Sequence, residues 1–191
     1  MAYTAVMDRY YTQTIGTPVL AISGTVAGSI AEIVIDPETG KVIGFLLAPK
    51  GQDVIAPNDI IFWEQNIFIH DEDDILETHE IIKVSEVLKK NIPILHAKVF
   101  TKNGKYLGKV YDIGINPKLF VMTRIAVAKN VLGLFPYDEK IIAHGDILEI
   151  TKEKIIVKDV EARVRATEKS ASAKENLQID IAPSTMDGHP N

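Results

Sequence analysis

The chain has 191 residues, a net charge of −5, a pI near 5.5 and a 46% hydrophobic content. That length holds one ordinary domain or two small ones, and that apolar content supports real cores and excludes global disorder. The acidic balance argues against wholesale nucleic-acid binding, which needs clustered Lys and Arg, and the absence of Cys excludes disulfides, Cys-based zinc sites and thiol catalysis.

Met1 to Gln13 lacks the apolar centre of a signal peptide. No run reaches the roughly 18–20 apolar residues of a membrane helix. The nearest candidate, Val121 to Phe135, contains Arg124 and Lys129, so the expected location is cytoplasmic. β signals come next. Ser29 to Ile35 is rich in branched residues and ends at Asp36-Pro37-Glu38-Thr39-Gly40, where Pro presets one φ and Gly accepts a positive one. Val42 to Leu47 closes this hairpin. Asp59 to Phe62 and Ile67 to Ile69 flank Glu64-Gln65-Asn66 as a second hairpin. Ser85 to Lys90 reads as a short helix with Ser85 as N-cap, ended by Asn91 ahead of Pro93. Val99 to Thr101 and Tyr106 to Ile115 then flank Asn103-Gly104, a strong hairpin signal because both residues accept positive φ. Ile147 to Ile150 and Ile155 to Val157 form the last hairpin. Beyond Val160 the composition turns polar, and a fraying helix followed by a flexible tail is expected.

The chain repeats itself. Pro18-Val19-Leu20 is echoed by Pro93-Ile94-Leu95, Gly28 to Pro37 by Gly108 to Pro117, and Ile55-Ala56 with Asp59-Ile60 by Ile142-Ala143 with Asp146-Ile147. A duplication implies one small unit used in tandem, and draws attention to what the copies do not share. The first echo lies 75 residues apart and the second 80, which places five extra residues in the second copy's first hairpin loop, about Thr101 to Lys105. Leu46 to Ile125 is 79 and Ala56 to Ala143 is 87, which places eight more within Ala128 to Tyr137, read as a loop.

The repeated pattern resembles the PRC-barrel, the small β-barrel shared by the photosynthetic reaction centre H subunit and the small-subunit ribosome maturation factor. Copy one carries it in Val19, Gly28, Ile30, Glu32 to Asp36, Gly40, Val42, Gly44, Phe45 and Ile55 to Ile60; copy two in Ile94, Gly108, Val110, Asp112 to Ile115, Val121, Ile125 and Ile142 to Ile147. The resemblance implies a mainly β fold of two tandem small PRC-type β-barrels with a short linker helix and a flexible C-terminal tail. The expected segments are 1–15 as an N-terminal segment, 16–72 as repeat 1, 73–90 as an acidic linker with the helix, 91–160 as repeat 2 and 161–191 as the tail. The resemblance also implies a docking or assembly module, because family members sit against partner proteins and some archaeal relatives act in cell division. It carries over no catalytic residue. Neither the RNA-associated domain of the maturation factor nor the membrane helix of the H subunit is expected in the chain.

The insertion is the leading candidate surface: Val131, Leu132, Leu134, Phe135 and Tyr137 would form an apolar patch for a protein partner or a second copy, or would instead fold over their own barrel. For nucleic acid or a ribosomal partner, Lys98, Lys102, Lys105 and Lys109 with Tyr106 form a basic stripe with a stacking ring; alternating lysines also protect strand edges. His70, Asp71 to Asp74, His79 and Glu80 lack calcium-loop spacing and read as a solvated acidic linker. Asp59 and Asp146 recur at one position and read as turn caps rather than a paired acid–base site. The five histidines form no close-spaced pair, and neither a phosphate loop nor a nucleophile elbow occurs. No enzyme activity, cofactor, metal or small-molecule substrate is expected. Leu177 to Ile181 alternates in a way that suits strand addition to a sheet edge.

Overall fold

A computed structural model describes residues 7–49, 51–131, 135–159 and 163–164. The N-terminal segment forms β1 (Arg9–Tyr10) and the single turn α1 (Tyr11–Thr14). Seven strands follow: β2 (Pro18–Ala21), β3 (Val26–Ile35), β4 (Val42–Ala48), β5 (Asp53–Ile55), β6 (Ile60–Trp63), β7 (Ile67–Ile69) and β8 (Ile75–Glu77). Helix α2 (Ile82–Lys90) leads to β9 (Lys98–Thr101), β10 (Tyr106–Asn116), β11 (Val121–Val131), β12 (Phe135–Ala143), β13 (Ile147–Ile150), β14 (Lys154–Val157) and β15 (Arg163–Val164).

The strands make two curled sheets with one plan. The first runs β6-β7-β2-β3-β4-β5-β8 and the second β13-β14-β9-β10-β11-β12-β15, with β1 added to β10. In each, branched residues alternate on the inner face, and the first and sixth of the seven strands in chain order pair in parallel (β2 with β7, β9 with β14). Ile75–Glu77, expected in the linker, pairs with β5 and extends the first sheet; Arg163–Val164 does the same for the second.

Register corrects the alignment of the copies. Val19 pairs with Gly28 as Val99 pairs with Gly108, and both ladders slip at the next position. The offset is therefore already 80 at β2, so Val19 matches Val99, not Ile94. The two hairpin loops are alike: Gly24 N–H bonds to Ala21 O as Gly104 N–H bonds to Thr101 O, both at 2.9 Å. The offset is 80 ahead of β9 as well, since Ala97 N–H bonds to Ile94 O as Thr17 N–H bonds to Thr14 O, so the five extra residues are not there. A three-residue likeness of Pro and branched side chains had outweighed the ladder in the sequence pattern. The offset stays at 80 along β10 and β11, since Ile33 faces Phe45 as Ile113 faces Ile125, and becomes 87 where Ile55 and Ile142 meet those same residues. The later insertion is thus seven residues. It is not a loop but an extension of β11 and β12, paired through Val131 and Phe135.

Helix α2 starts three residues ahead of Ser85, and no side chain caps its N-terminus. What sets its extent is packing: Val84 and Val87 bury against Val34, Leu46 and Val54 on the outside of the first sheet. Asn91 ends it in the left-handed conformation at φ +48°, which Asn tolerates.

The two sheets share one core, running from Val19, Phe45 and Ile67 to Val99, Ile125 and Ile155. They meet through equivalent turns. Val42 N–H bonds to Phe120 O at 2.8 Å and Met122 N–H to Gly40 O at 2.7 Å, around a bridge between Lys41 and Val121. Because Gly40 and Phe120 are equivalent, this joint is a pseudo-two-fold. The segment before each set of strands crosses to the other sheet: β1 and α1 lie on β10, whereas α2 lies on β3 and β4.

Candidate functional site

The outer faces of the two sheets use the same positions for different chemistry. Across β6, β7, β2 and β3 the ladder sets Phe62, Phe68, Leu20 and Val26 side by side. The Phe62 and Phe68 rings stack with centroids 4.4 Å apart. Val26 is 66% exposed, Phe62 45% and Ile22, in the adjoining turn, 64%. These side chains make an apolar strip in a place the barrel interior does not require, and such strips mark partner surfaces.

The strip ends at β6, whose outer edge has no strand partner among the described residues. A groove of about 930 Å³ runs between this edge and the N-terminal segment, lined by Met7, Arg9, Ile61, Phe62, Trp63 and Phe120 among others. Its β1 wall is anchored by Asp8, which binds both the Thr123 hydroxyl at 2.5 Å and the Arg124 guanidinium. An unpaired edge beside apolar side chains can accept an extended segment through backbone hydrogen bonds.

In the second sheet the equivalent row is Glu149, Ile156, Phe100 and Tyr106, with the Phe100 and Tyr106 rings 5.2 Å apart. The next row is Lys154, Lys98 and Lys109, each directly opposite the next. Lys102 and Lys105 stand in the turn beyond Phe100. Lys98, Lys109 and Tyr106 are therefore brought to one face, joined by Lys154, with Lys102 and Lys105 in the turn at its end. All five lysines are exposed, and none makes an ion pair among the described residues. Edge protection does not account for them, because β9, β10 and β14 are interior strands of the sheet.

The apolar candidates of the insertion separate. Val131, Phe135 and Tyr137 sit on the paired arm of β11 and β12, while Leu132 and Leu134 lie outside the described residues. At the base of the arm Asp138 binds Lys129 at 3.2 Å and also Lys140. Burial, reinforced by the charges of Lys129 and Lys105, pushes the Lys140 ammonium below its usual range.

The acidic stretch is spent on its own backbone. Asp71 accepts the Asp73 N–H at 2.9 Å and Asp74 the Asp71 N–H at 3.4 Å, a reciprocal cap on the turn at Glu72–Asp74, and Asp74 also accepts the His70 N–H at 2.8 Å. No set of three potential metal ligands converges among the described residues. Asp59 and Asp146 do share a position, each ending a short 3₁₀ turn, but among the described hydrogen bonds neither carboxylate accepts a backbone N–H as expected. Asp146 instead takes the Lys158 ammonium at 3.3 Å, and burial plus the charge of Asp74 lifts the Asp59 carboxyl above its ordinary range. Between the sheets lies a cavity of about 210 Å³ lined by Tyr11, Glu32, Val87, Pro93 and Ile113 among others. Burial pushes both the Tyr11 phenol and the Glu32 carboxyl up. Leu177 to Ile181 lies outside the described residues.

Sequence reasoning missed Leu20, Ile22, Val26, Phe62, Phe68 and Lys154. The signal was available: with the copies aligned at offset 80, Leu20 and Val26 of one copy stand at the positions of Phe100 and Tyr106 in the other. Residues 7–85 match the family model of the PRC-barrel domain. That match is consistent with the family the sequence resembles, and the curled first sheet fits that fold. A search of curated proteins finds no match to the chain. No helix among the described residues is long and apolar enough to cross a membrane.

Proposed function

We propose that the chain is a tandem PRC-barrel protein, two barrels joined in one core, that acts in the cytoplasm as a non-enzymatic docking module for a protein partner. The observation that carries this reading is the exposed strip of Ile22, Val26 and Phe62 leading into the open groove at β6. The shared strand order of the two sheets supports the tandem reading, and the PRC-barrel match of residues 7–85 supports the docking role. The test is capture of partners from the protein's own cell lysate by the tagged chain in high salt, beside its Val26→Asp and Phe62→Asp variants. Expected is a protein retained in high salt and lost with both variants, whose melting temperatures stay within a few degrees because the side chains are already exposed. A partner held equally by all three proteins overturns the assignment to this strip, and Leu134→Asp then tests the apolar insertion of the sequence. If the chain retains only itself, the docking surface serves self-association.

A further inference from the structure

We infer that the outer face of the second sheet is a binding surface for single-stranded nucleic acid, distinct from the apolar strip of the first. The inference comes from comparing positions that the fold makes equivalent. Lys98 stands where the first sheet has Pro18, Lys109 where it has Ser29, and Lys154 where it has Asn66. Lys102 and Lys105 stand where the equivalent turn has Ile22 and Thr25. Five times the same scaffold position is neutral in one copy and cationic in the other, so the barrel itself does not ask for these lysines.

Their arrangement works against the folded chain when nothing is bound. Lys154, Lys98 and Lys109 lie directly opposite one another on neighbouring strands, and like charges in that relation are destabilising. A polyanion along the row would remove that repulsion. The charge is also segregated along the chain. Residues 16–90 hold 5 Lys and Arg against 13 Asp and Glu, a net of −8, whereas residues 91–160 hold 11 against 7, a net of +4. The acidic total for the whole chain hides a basic half.

The aromatic residues choose the class of polyanion. Phe100 and Tyr106 sit side by side between the two groups of lysines, with Lys154, Lys98 and Lys109 on one side and Lys102 and Lys105 on the other. From Lys98 to Lys102 is four residues of extended chain, roughly 13 Å. That spacing lets phosphates run along the lysines while a base lies on the rings, the combination by which sheet surfaces hold single strands without reading sequence. A duplex hides its bases and would leave Tyr106 unused. Glu149, at the edge strand β13, bounds the surface on that side.

The test is fluorescence anisotropy of labelled oligouridine and oligoadenylate with the full chain, across a salt series. Competitors are duplex RNA of the same length and anionic phospholipid vesicles. Expected is binding at low salt that weakens steeply as salt rises. Lys98→Ala with Lys109→Ala should lower affinity at least tenfold and flatten the log–log salt slope by about 1.4, near 0.7 for each lost phosphate contact. Tyr106→Ala should lower affinity severalfold and leave the slope unchanged. Melting temperature separates a structural role, since the double lysine variant should melt no lower than the parent. Absence of binding at low salt overturns the inference. So does affinity indifferent to all three substitutions, or duplex or vesicles outcompeting the single strand.

Discussion

Phe120 stacks on Trp63 with ring centroids 6.2 Å apart and planes 16° from parallel, although the two residues belong to different sheets. Phe120 also meets Phe45 edge-on at 6.2 Å, so a turn residue of the second sheet completes an aromatic cluster in the first. The equivalent residue, Gly40, does the reverse. It leaves room beneath His144, whose Nε2 would lie 2.4 Å from a Cβ at that position. One turn inserts a ring and the other receives one, which explains why equivalent turns differ most at this position.

Replacing Phe120 with Ala should therefore loosen the joint rather than either sheet. The ring is half-buried, and its loss should cost about 2 kcal/mol, below the range for a fully buried Phe. Trp63 is the only tryptophan, so tryptophan emission reports on the surroundings of this one ring, which Phe120 covers. The expected result is a red-shifted emission and a lower melting temperature in one transition. An unshifted emission spectrum would show that Phe120 does not shield Trp63 in solution.

Acid should weaken the turn that carries Gly40. Asp36 is buried, and burial by itself would raise its carboxyl. Hydrogen bonds from the Glu38 N–H at 3.1 Å, the Thr39 hydroxyl at 2.9 Å and the Lys83 ammonium, with the Lys83 charge, outweigh that and hold it below the ordinary value. A carboxyl with a lowered folded pKa stabilises the fold above the unfolded value, near 3.9, and loses that contribution as pH falls through the folded one. Asp36→Asn should thus be less stable than the parent by about 1–2 kcal/mol at neutral pH. The gap should close below about pH 4. Glu32 acts with the opposite sign: burial raises its carboxyl, so its cost is present above its folded pKa and vanishes once acid protonates it in both states. Thermal melts of the parent and Asp36→Asn between neutral pH and pH 3 decide this, and a gap that widens toward acid would refute it.

The parts of the fold that were legible in the sequence are those with local causes. The turn at Asp36 to Gly40 needs only its own Pro, Asp and Gly, and Asn91 ends α2 through its own left-handed conformation. What could not be read depended on long-range pairing. β8 is three residues of ordinary composition that become a strand because β5 has a free edge. The start of α2 is fixed by Val34 and Leu46 on another element, not by Ser85. The lysines of the second sheet were visible as a stripe, but their meaning came from register, which placed Lys154 beside Lys98 from 56 residues away. The apolar strip was overlooked because Leu20, Val26 and Phe62 are ordinary strand residues until the pleat shows which face they occupy.

The crossing of the N-terminal segment onto the second sheet rests on Asp112. Its carboxylate accepts the Thr12 N–H at 3.1 Å, the Thr12 hydroxyl at 2.7 Å and the Ile113 N–H at 2.8 Å. It thereby fixes α1, which at one turn is too short to persist unaided. β1 adds only two residues to β10, and beyond these the segment is held by Asp8, the half-buried Tyr11 and the buried Thr14. Asp112→Ala should release residues 8–14 locally, at a cost of about 1–2 kcal/mol. Amides of this segment should then exchange much faster than in the parent, while those of β2, β7 and β14 keep their protection. Because β1 forms one wall of the groove at β6, the same variant should weaken any partner docked there. Faster exchange throughout both sheets would instead mean that the crossing segment is integral to the shared core.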